Sequence, residues 1–257
     1  MSENLYGRLK RIIVGSLKKG ITMTTAIVIA SGSGRRMGQD IPKQFISVND
    51  KPVLIYTLET FQRHPGIDSI LLVCLDGWQD VVNAYAKQFQ IDKLKWIIKG
   101  GDSAQDSIRN GVFELRDHLK DDDMVIIHDG VRPFIDEAVL TNVIVTCQQH
   151  GNAVSSMPYN EQIFLVDDEI STISYIPRET LRRVVTPQAY TYGILYEKYK
   201  EAYETGKGIH GSAYANTMMV ELGERLYFAP GSDKNIKLTT AEDLEIFKAW
   251  VNSKISL

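Results

Sequence analysis

Positive charge beside bare backbone is the first chemistry this chain offers. Gly32-Ser33-Gly34-Arg35-Arg36-Met37-Gly38 follows an apolar run, and Pro42-Lys43-Gln44 comes directly after it. Glycines leave backbone N–H groups open to phosphate oxygens, while Arg35, Arg36 and Lys43 add positive charge. The two standard phosphate-loop spacings fail. The dinucleotide fingerprint needs a glycine where Met37 stands, with Gly38 one position late, and no Gly-Lys-Ser/Thr follows for a P-loop. A loop that grips a nucleoside triphosphate in another way is what remains.

Three further clusters could complete such a site. His128-Asp129 ends an apolar run and precedes Gly130-Val131-Arg132-Pro133. A carboxylate at a strand's carboxyl end is placed to hold Mg²⁺ against a triphosphate, and it could equally cap the following turn. His128 reads as a packed neighbour, not a base. Gly100-Gly101-Asp102, with Ser107 in the first turns of a helix, offers donors to a base or ribose, or is only a loop and a cap. Asn235-Ile236-Lys237 precedes the last helix, and Lys237 is either solvated or part of the site.

The elements that must position these groups alternate strictly. Apolar, β-branched runs at 26–30, 69–75, 95–99, 123–128 and 152–157 read as buried strands. Helical periodicity covers 52–64, 79–89, 102–119 and 136–150. The alternation predicts an α/β fold, a three-layer and mostly parallel sheet whose ligand sits beyond the strands' carboxyl ends. The glycine loop and Asp129 then share one edge. The rhythm breaks at 162–176, where two apolar runs flank Asp167-Asp168-Glu169 in the pattern of a β-hairpin. An arm over about 158–180, crossing a dimer interface or packing on its own domain, accounts for it. Thr186-Pro187-Gln188 follows, then a helix at 192–205, a strand near 225–229 and a final helix from Ala241, capped by Thr240.

Composition excludes several classes. Net charge is −3, with 44% hydrophobic and 24% charged residues, so a soluble globular chain without general nucleic-acid affinity is expected. Cys74 and Cys147, the only cysteines, lack metal or redox spacing and read as reduced thiols of a cytoplasmic protein. No apolar run approaches the ~20 residues of a membrane span, so no stable membrane anchor is expected. Residues 1–22 carry five Lys/Arg against one Glu, and no signal-peptide core. They are a basic N-terminal extension, and residues 23–257 a single domain.

Taken in order, ASGSGRRMG, PKQF, GGD with DS, HDGVRP, TPQ and NIKLTTAEDL resemble the cytidylyltransferases acting on 2-C-methyl-D-erythritol 4-phosphate and on ribitol 5-phosphate. The resemblance implies a Rossmann-like nucleotidyltransferase fold that moves CMP from CTP to a small polyol phosphate and releases pyrophosphate. It assigns CTP to Ala30, Ser31, Gly32, Gly34, Gly101, Asp102 and Ser107, and the α-phosphate to Arg36, Lys43 and Lys237. It assigns Mg²⁺ to Asp129, and the substrate to Arg132, Arg178 and Thr186. The family's hairpin arm pairs subunits, implying a homodimer. Ser31, Ala104, Glu161-Gln162 and residues 212–217 (SAYANT) depart from the family pattern, mostly on the acceptor side. A nucleotide-binding relative without turnover therefore stays open. Asp76-Gly77-Trp78 and Lys99-Gly100-Gly101 look closer to the ribitol-phosphate branch.

Overall fold

The computed structural model describes residues 23–33, 41–210 and 214–255. Strand β1 (Thr24–Ala30) is flanked by parallel neighbours on both sides and is almost wholly buried. Its β-branched run suits that position, because a strand covered on both faces needs apolar side chains at every residue. A small hairpin of β2 (Ser47–Val48) and β3 (Lys51–Pro52) leads into helix α1 (Val53–Arg63). β4 (Ser69–Cys74), α2 (Gln79–Gln88), β5 (Leu94–Lys99), α3 (Ala104–Glu114), β6 (Met124–Asp129), α4 (Glu137–His150) and β7 (Asn152–Pro158) continue the alternation. β8 (Ile163–Leu165) and β9 (Ser174–Ile176) form the arm. β10 (Arg182–Thr191), α5 (Tyr192–Thr205), α6 (Ala215–Glu221), β11 (Phe228–Pro230) and α7 (Ala241–Ile255) complete the chain.

The main sheet has seven strands in the order β11-β7-β10-β6-β1-β4-β5. Every pairing is parallel except those of β10, which runs antiparallel to β6 and β7. Apolar clusters cover both faces. One joins Ala26 and Val28 to α1 and α4, and the other joins Ile27 to α3, α5 and α6. This is the expected three-layer sheet. A third cluster seats Phe247 and Leu244 of α7 against Phe134 and Val53. α7 opens as expected, with Thr240 Oγ1 accepting from the Asp243 amide and Asp243 Oδ2 accepting from Thr240 N–H.

Besides the short β2–β3 hairpin, two elements lie outside the sequence expectations. Residues 182–191 hold a central strand where only a Thr-Pro-Gln segment was read. Proline weakens a strand reading because it cannot donate to a ladder. Here the register against β7 shifts between Val185 and Gln188, so Pro187 drops out of the pairing. The second is α6, whose seven residues are too few for a helical period to stand out. The helix expected at 102–119 is shorter, ending at Glu114 before a 3₁₀ turn (Leu115–Asp117).

Candidate functional site

The strands' carboxyl edge opens into a cleft of about 780 Å³. Parallel pairing sets Ile29 of β1 opposite Asp129 of β6, so the glycine loop and the acid leave the sheet side by side. Ala30, Ser31, Gly32, Lys43, Gly101, Asp102, Ser107, Asp129, Arg132, Thr186 and Lys237 all line the cleft. Gly34 and Arg36 lie outside the described residues. Arg178 lies in a 3₁₀ turn after the arm (Arg178–Thr180), where Nη1 donates to the Asn160 carbonyl at 3.2 Å and Nε sits 3.5 Å from Glu179. It is not among the residues lining the cleft.

Asp129 is the centre of charge. Arg132 Nε reaches Oδ2 at 2.8 Å and Lys237 Nζ reaches Oδ1 at 3.1 Å, while Thr186 Oγ1 donates to Oδ2 at 3.3 Å. Burial pushes this carboxyl up, but Lys237 and Arg132 outweigh it and hold Asp129 at about 2. The site is therefore a charged carboxylate carrying two cations near neutral pH. Its neighbour His128 is fully buried against Phe61, and burial drops its imidazole to about 4. His128 is packed and neutral, as the sequence suggested.

Backbone links fix this cluster. Arg132 Nη1 donates to the Asn235 carbonyl at 2.9 Å, and Asn235 Nδ2 donates to the Thr186 carbonyl at 2.7 Å. Leu238 N–H donates to the Val131 carbonyl at 2.9 Å. The HDGVRP, TPQ and NIK segments are thus one hydrogen-bonded unit, and Asn235, which sequence reading named without a role, is the link.

The opposite wall is the loop before α3. Ser103 caps that helix, accepting from Asp106 N–H at 3.0 Å, while Asp106 Oδ2 accepts from Ser103 N–H and Oγ. Tyr203 of α5 donates to Asp106 Oδ1 at 2.7 Å. The Ser103 and Tyr203 hydrogen bonds hold the Asp106 carboxyl below its ordinary range. Gly101 is obligatory at this turn, because a Cβ there would stand 2.3 Å from that of Asp106. A cap reading was open from sequence; the reciprocal Ser103–Asp106 pair makes it firm.

Gln44 is a second residue that sequence reading named without a role. It is 1% exposed, and Nε2 donates to the carbonyls of Ala30 and Gly32 at 2.9 Å each. It pins the start of the glycine loop. Beside it Phe45 stacks on Trp78, with ring centroids 4.2 Å apart and planes 8° apart. The Asp76-Gly77-Trp78 segment thus buttresses the 3₁₀ helix (Lys43–Phe45) that carries Lys43 into the cleft. Tyr214, Ala215 and Asn216 of the SAYANT segment also line the cleft.

Three comparisons with known proteins bear on this arrangement. The family model for 2-C-methyl-D-erythritol 4-phosphate cytidylyltransferase (IspD) matches residues 24–253. A Lacticaseibacillus paracasei protein named ribitol-5-phosphate cytidylyltransferase is 57% identical over 232 residues, covering 90% of this chain and 99% of the relative. A Clostridium botulinum protein named 2-C-methyl-D-erythritol 4-phosphate cytidylyltransferase is 36% identical over 231 residues, covering 90% of this chain and all of the relative. The crystal structure of a 4-diphosphocytidyl-2C-methyl-D-erythritol synthase from Anaerococcus prevotii superposes with a TM-score of 0.76 at 23% identity, over 91% of this chain and 100% of that one. That likeness is one of fold.

Proposed function

The chain belongs to the 2-C-methyl-D-erythritol 4-phosphate cytidylyltransferase family, and from that premise we propose that it transfers CMP from CTP to ribitol 5-phosphate. The chain is a CTP-dependent cytidylyltransferase acting on a polyol phosphate. The 57% identity with a ribitol-5-phosphate cytidylyltransferase favours ribitol 5-phosphate as acceptor, with 2-C-methyl-D-erythritol 4-phosphate next. The observation that carries the site assignment is the meeting of Arg132 and Lys237 on the Asp129 carboxylate, in a cleft that Lys43 and the Ser103–Ser107 turn also line.

The chemistry follows from charge. A phosphate oxygen of the acceptor attacks the α-phosphorus of CTP, and the bond to the bridging oxygen of the β-phosphate breaks, so pyrophosphate leaves. Negative charge grows on the transferring and leaving oxygens, and fixed cations stabilise it more than they stabilise the ground state. Lys43 and Lys237 supply that charge, together with Arg36. Ala30, Ser31, Gly32, Gly34, Gly101, Asp102 and Ser107 hold the nucleotide. Arg132, Thr186 and Arg178 serve the acceptor side. No nucleophilic side chain is needed, in keeping with a neutral, buried His128.

A Mg²⁺ ion fits here through one protein ligand. Asp129 is a carboxylate at the strand end, and among the described residues no group of three or more His, Cys, Asp or Glu could hold a metal. Asp129 would share the ion with triphosphate oxygens and water, since Mg²⁺ in such sites relies on one or two carboxylates together with substrate phosphates. Bound there, Mg²⁺ would neutralise charge on the leaving pyrophosphate.

The arm supports a homodimer. Phe164, Leu165, Val166, Ile173 and Tyr175 are all exposed, an apolar surface that a second copy would cover. Residues 23–257 act as one domain, with 1–22 a dispensable basic extension, in the cytoplasm. Among the described residues no helix is long and apolar enough to cross a membrane. Cys74 and Cys147 are buried, their thiols pushed up to about 11 and about 12, so neither is a reactive nucleophile.

Incubating the protein with CTP and Mg²⁺ against ribitol 5-phosphate, 2-C-methyl-D-erythritol 4-phosphate and glycerol 3-phosphate tests the reading. Pyrophosphate should appear fastest with ribitol 5-phosphate. Faster release with another acceptor would overturn the acceptor. CTP binding without release for any of them would leave a nucleotide-binding relative.

A further inference from the structure

We propose that Trp78 is a positioning residue for the transfer step. Its indole fixes the direction of Lys43 by carrying Phe45, and the turn that bears it ties that lysine to the Gly100-Gly101 loop. The role rests on the reading above, in which Lys43 stabilises the charge that grows on the transferring phosphate.

The 3₁₀ helix Lys43–Phe45 cannot hold its own place. It has three residues and no side-chain cap, and it closes on two backbone bonds. Phe45 N–H donates to the Pro42 carbonyl at 2.8 Å, and Ile46 N–H to the Lys43 carbonyl at 3.3 Å. A helix so short is fixed by what its side chains touch. Lys43 lines the cleft, Gln44 donates to the carbonyls of Ala30 and Gly32, and Phe45 is 4% exposed with its ring on that of Trp78. Gln44 steadies the glycine loop. Phe45 and the indole beneath it set the roll of the helix, and with it the direction in which Lys43 leaves.

Trp78 is itself well anchored. Gly77 takes a left-handed φ of 80° at the turn after β4, and Trp78 N–H donates to the Leu75 carbonyl at 3.2 Å. The Trp78 carbonyl accepts from Val82 N–H at 3.0 Å in the first turn of α2, where Val82 is fully buried. The indole and the Phe45 ring are 8° from parallel. A flat face against a flat face fixes tilt as well as distance, which an aliphatic side chain would not.

The same turn reaches the nucleotide loop. Gly100 N–H donates to the Cys74 carbonyl at 2.9 Å, and Lys99 Nζ lies 2.7 Å from Asp76. That ion pair is exposed and adds little alone, so the backbone bond is what fixes the loop. A Cβ on Gly100 would stand 2.3 Å from that of Ser31, so the loop is also seated against the start of the glycine loop. Lys43 and Gly101 therefore take their places from the same short segment, residues 74–78.

A lysine displaced by about 1 Å still attracts a triphosphate but no longer meets the charge where it grows. Loss of the indole should therefore act on kcat more than on KM.

The test measures pyrophosphate release from CTP and ribitol 5-phosphate in the unaltered full chain, Trp78→Ala, Trp78→Phe, Lys43→Ala and the Trp78→Ala/Lys43→Ala double variant. Trp78→Ala should lower kcat on the order of tenfold, less than loss of the lysine itself, with a smaller change in KM for CTP. Trp78→Phe keeps a flat face and should keep most of the rate. In the Lys43→Ala background, Trp78→Ala should cost no further kcat, because the group it positions is gone. Phe45→Leu breaks the same stack from the helix side, should give the same Lys43-dependent loss, and serves where Trp78→Ala does not fold. An unchanged kcat in Trp78→Ala, an equal further loss in the Lys43→Ala background, or Trp78→Phe as slow as Trp78→Ala would each overturn the proposal. No turnover in the unaltered protein, or a Lys43→Ala variant as fast as the unaltered one, is a different result, which removes the reading of the site and this inference with it.

Discussion

Lys237 Nζ and Asp129 Oδ1 lie 3.1 Å apart although 108 residues separate them in the chain. Arg132 holds the other carboxylate oxygen, so the cluster is one anion with two cations. It carries net positive charge toward a cleft that also contains Lys43. A triphosphate entering there meets a surplus of positive charge already in place, which is what lowers the cost of concentrating negative charge in the transition state.

Replacing Lys43 or Lys237 by alanine should each lower kcat on the order of 10²-fold or more, the usual loss for one preorganised charge contact. Steady-state kinetics of pyrophosphate release measure it. A rise in KM with kcat intact would show that these lysines bind ground state and transition state equally.

Asp129 also links the site to stability. Its folded value of about 2 lies below the ordinary 3.8, so its contribution is present above about pH 4 and is lost as pH falls toward 2. The shift corresponds to roughly 2 kcal/mol. Asp129→Asn leaves Lys237 and Arg132 facing a neutral amide. Denaturant unfolding should show the variant less stable by about that amount near pH 7, with the gap closing near pH 2. A gap independent of pH would mean that the carboxylate's charge is not what holds the cluster.

Much of this arrangement was legible in the chain because parallel strands write themselves plainly. Ala26 to Ala30, Ser69 to Cys74 and Met124 to His128 are apolar at nearly every position, since helices cover both faces of the sheet. Once those strands are placed, the carboxyl-edge rule puts Ser31 and Asp129 together without further information. β10 was hidden because Arg182 and Arg183 open it and Pro187 interrupts it, and only the register shift against β7 makes that sequence a strand. The roles of Gln44 and Asn235 were hidden for another reason. Each acts through a backbone carbonyl brought close by the fold, and a carbonyl has no residue type to read. Ser103 and Asp106 sit three apart and pair locally, so their link was within reach of the spacing alone.

The arm offers a test of assembly. Phe164 and Tyr175 lie opposite each other on β8 and β9, exposed by 53% and 68%. Phe164→Ser with Tyr175→Ser removes that apolar surface and touches nothing in the cleft. Sedimentation velocity should shift the protein from dimer to monomer. If Arg178 serves a neighbouring subunit's cleft, kcat/KM for the acceptor should fall with it. A dimer that persists unchanged in the double variant would place the interface elsewhere.

Gln44→Leu probes how the loop is held, with little change in volume. Nε2 of Gln44 satisfies the Ala30 and Gly32 carbonyls, and the residue is buried, so leucine leaves both without that donor. Unpaired buried carbonyls cost about 1–3 kcal/mol each, a strain the glycine loop can relieve by moving toward water. The loop then no longer presents its N–H groups at one place, and ordering it falls to the nucleotide. KM for CTP should rise on the order of tenfold while kcat changes less, because the lost term is preorganisation for binding. Gln44→Glu separates geometry from hydrogen bonding. It keeps the length but sets a carboxylate against two carbonyls, and it should impair CTP binding at least as severely. Calorimetric titration with CTP measures both variants, and an affinity equal to that of the unaltered protein would show that the loop stands without Gln44.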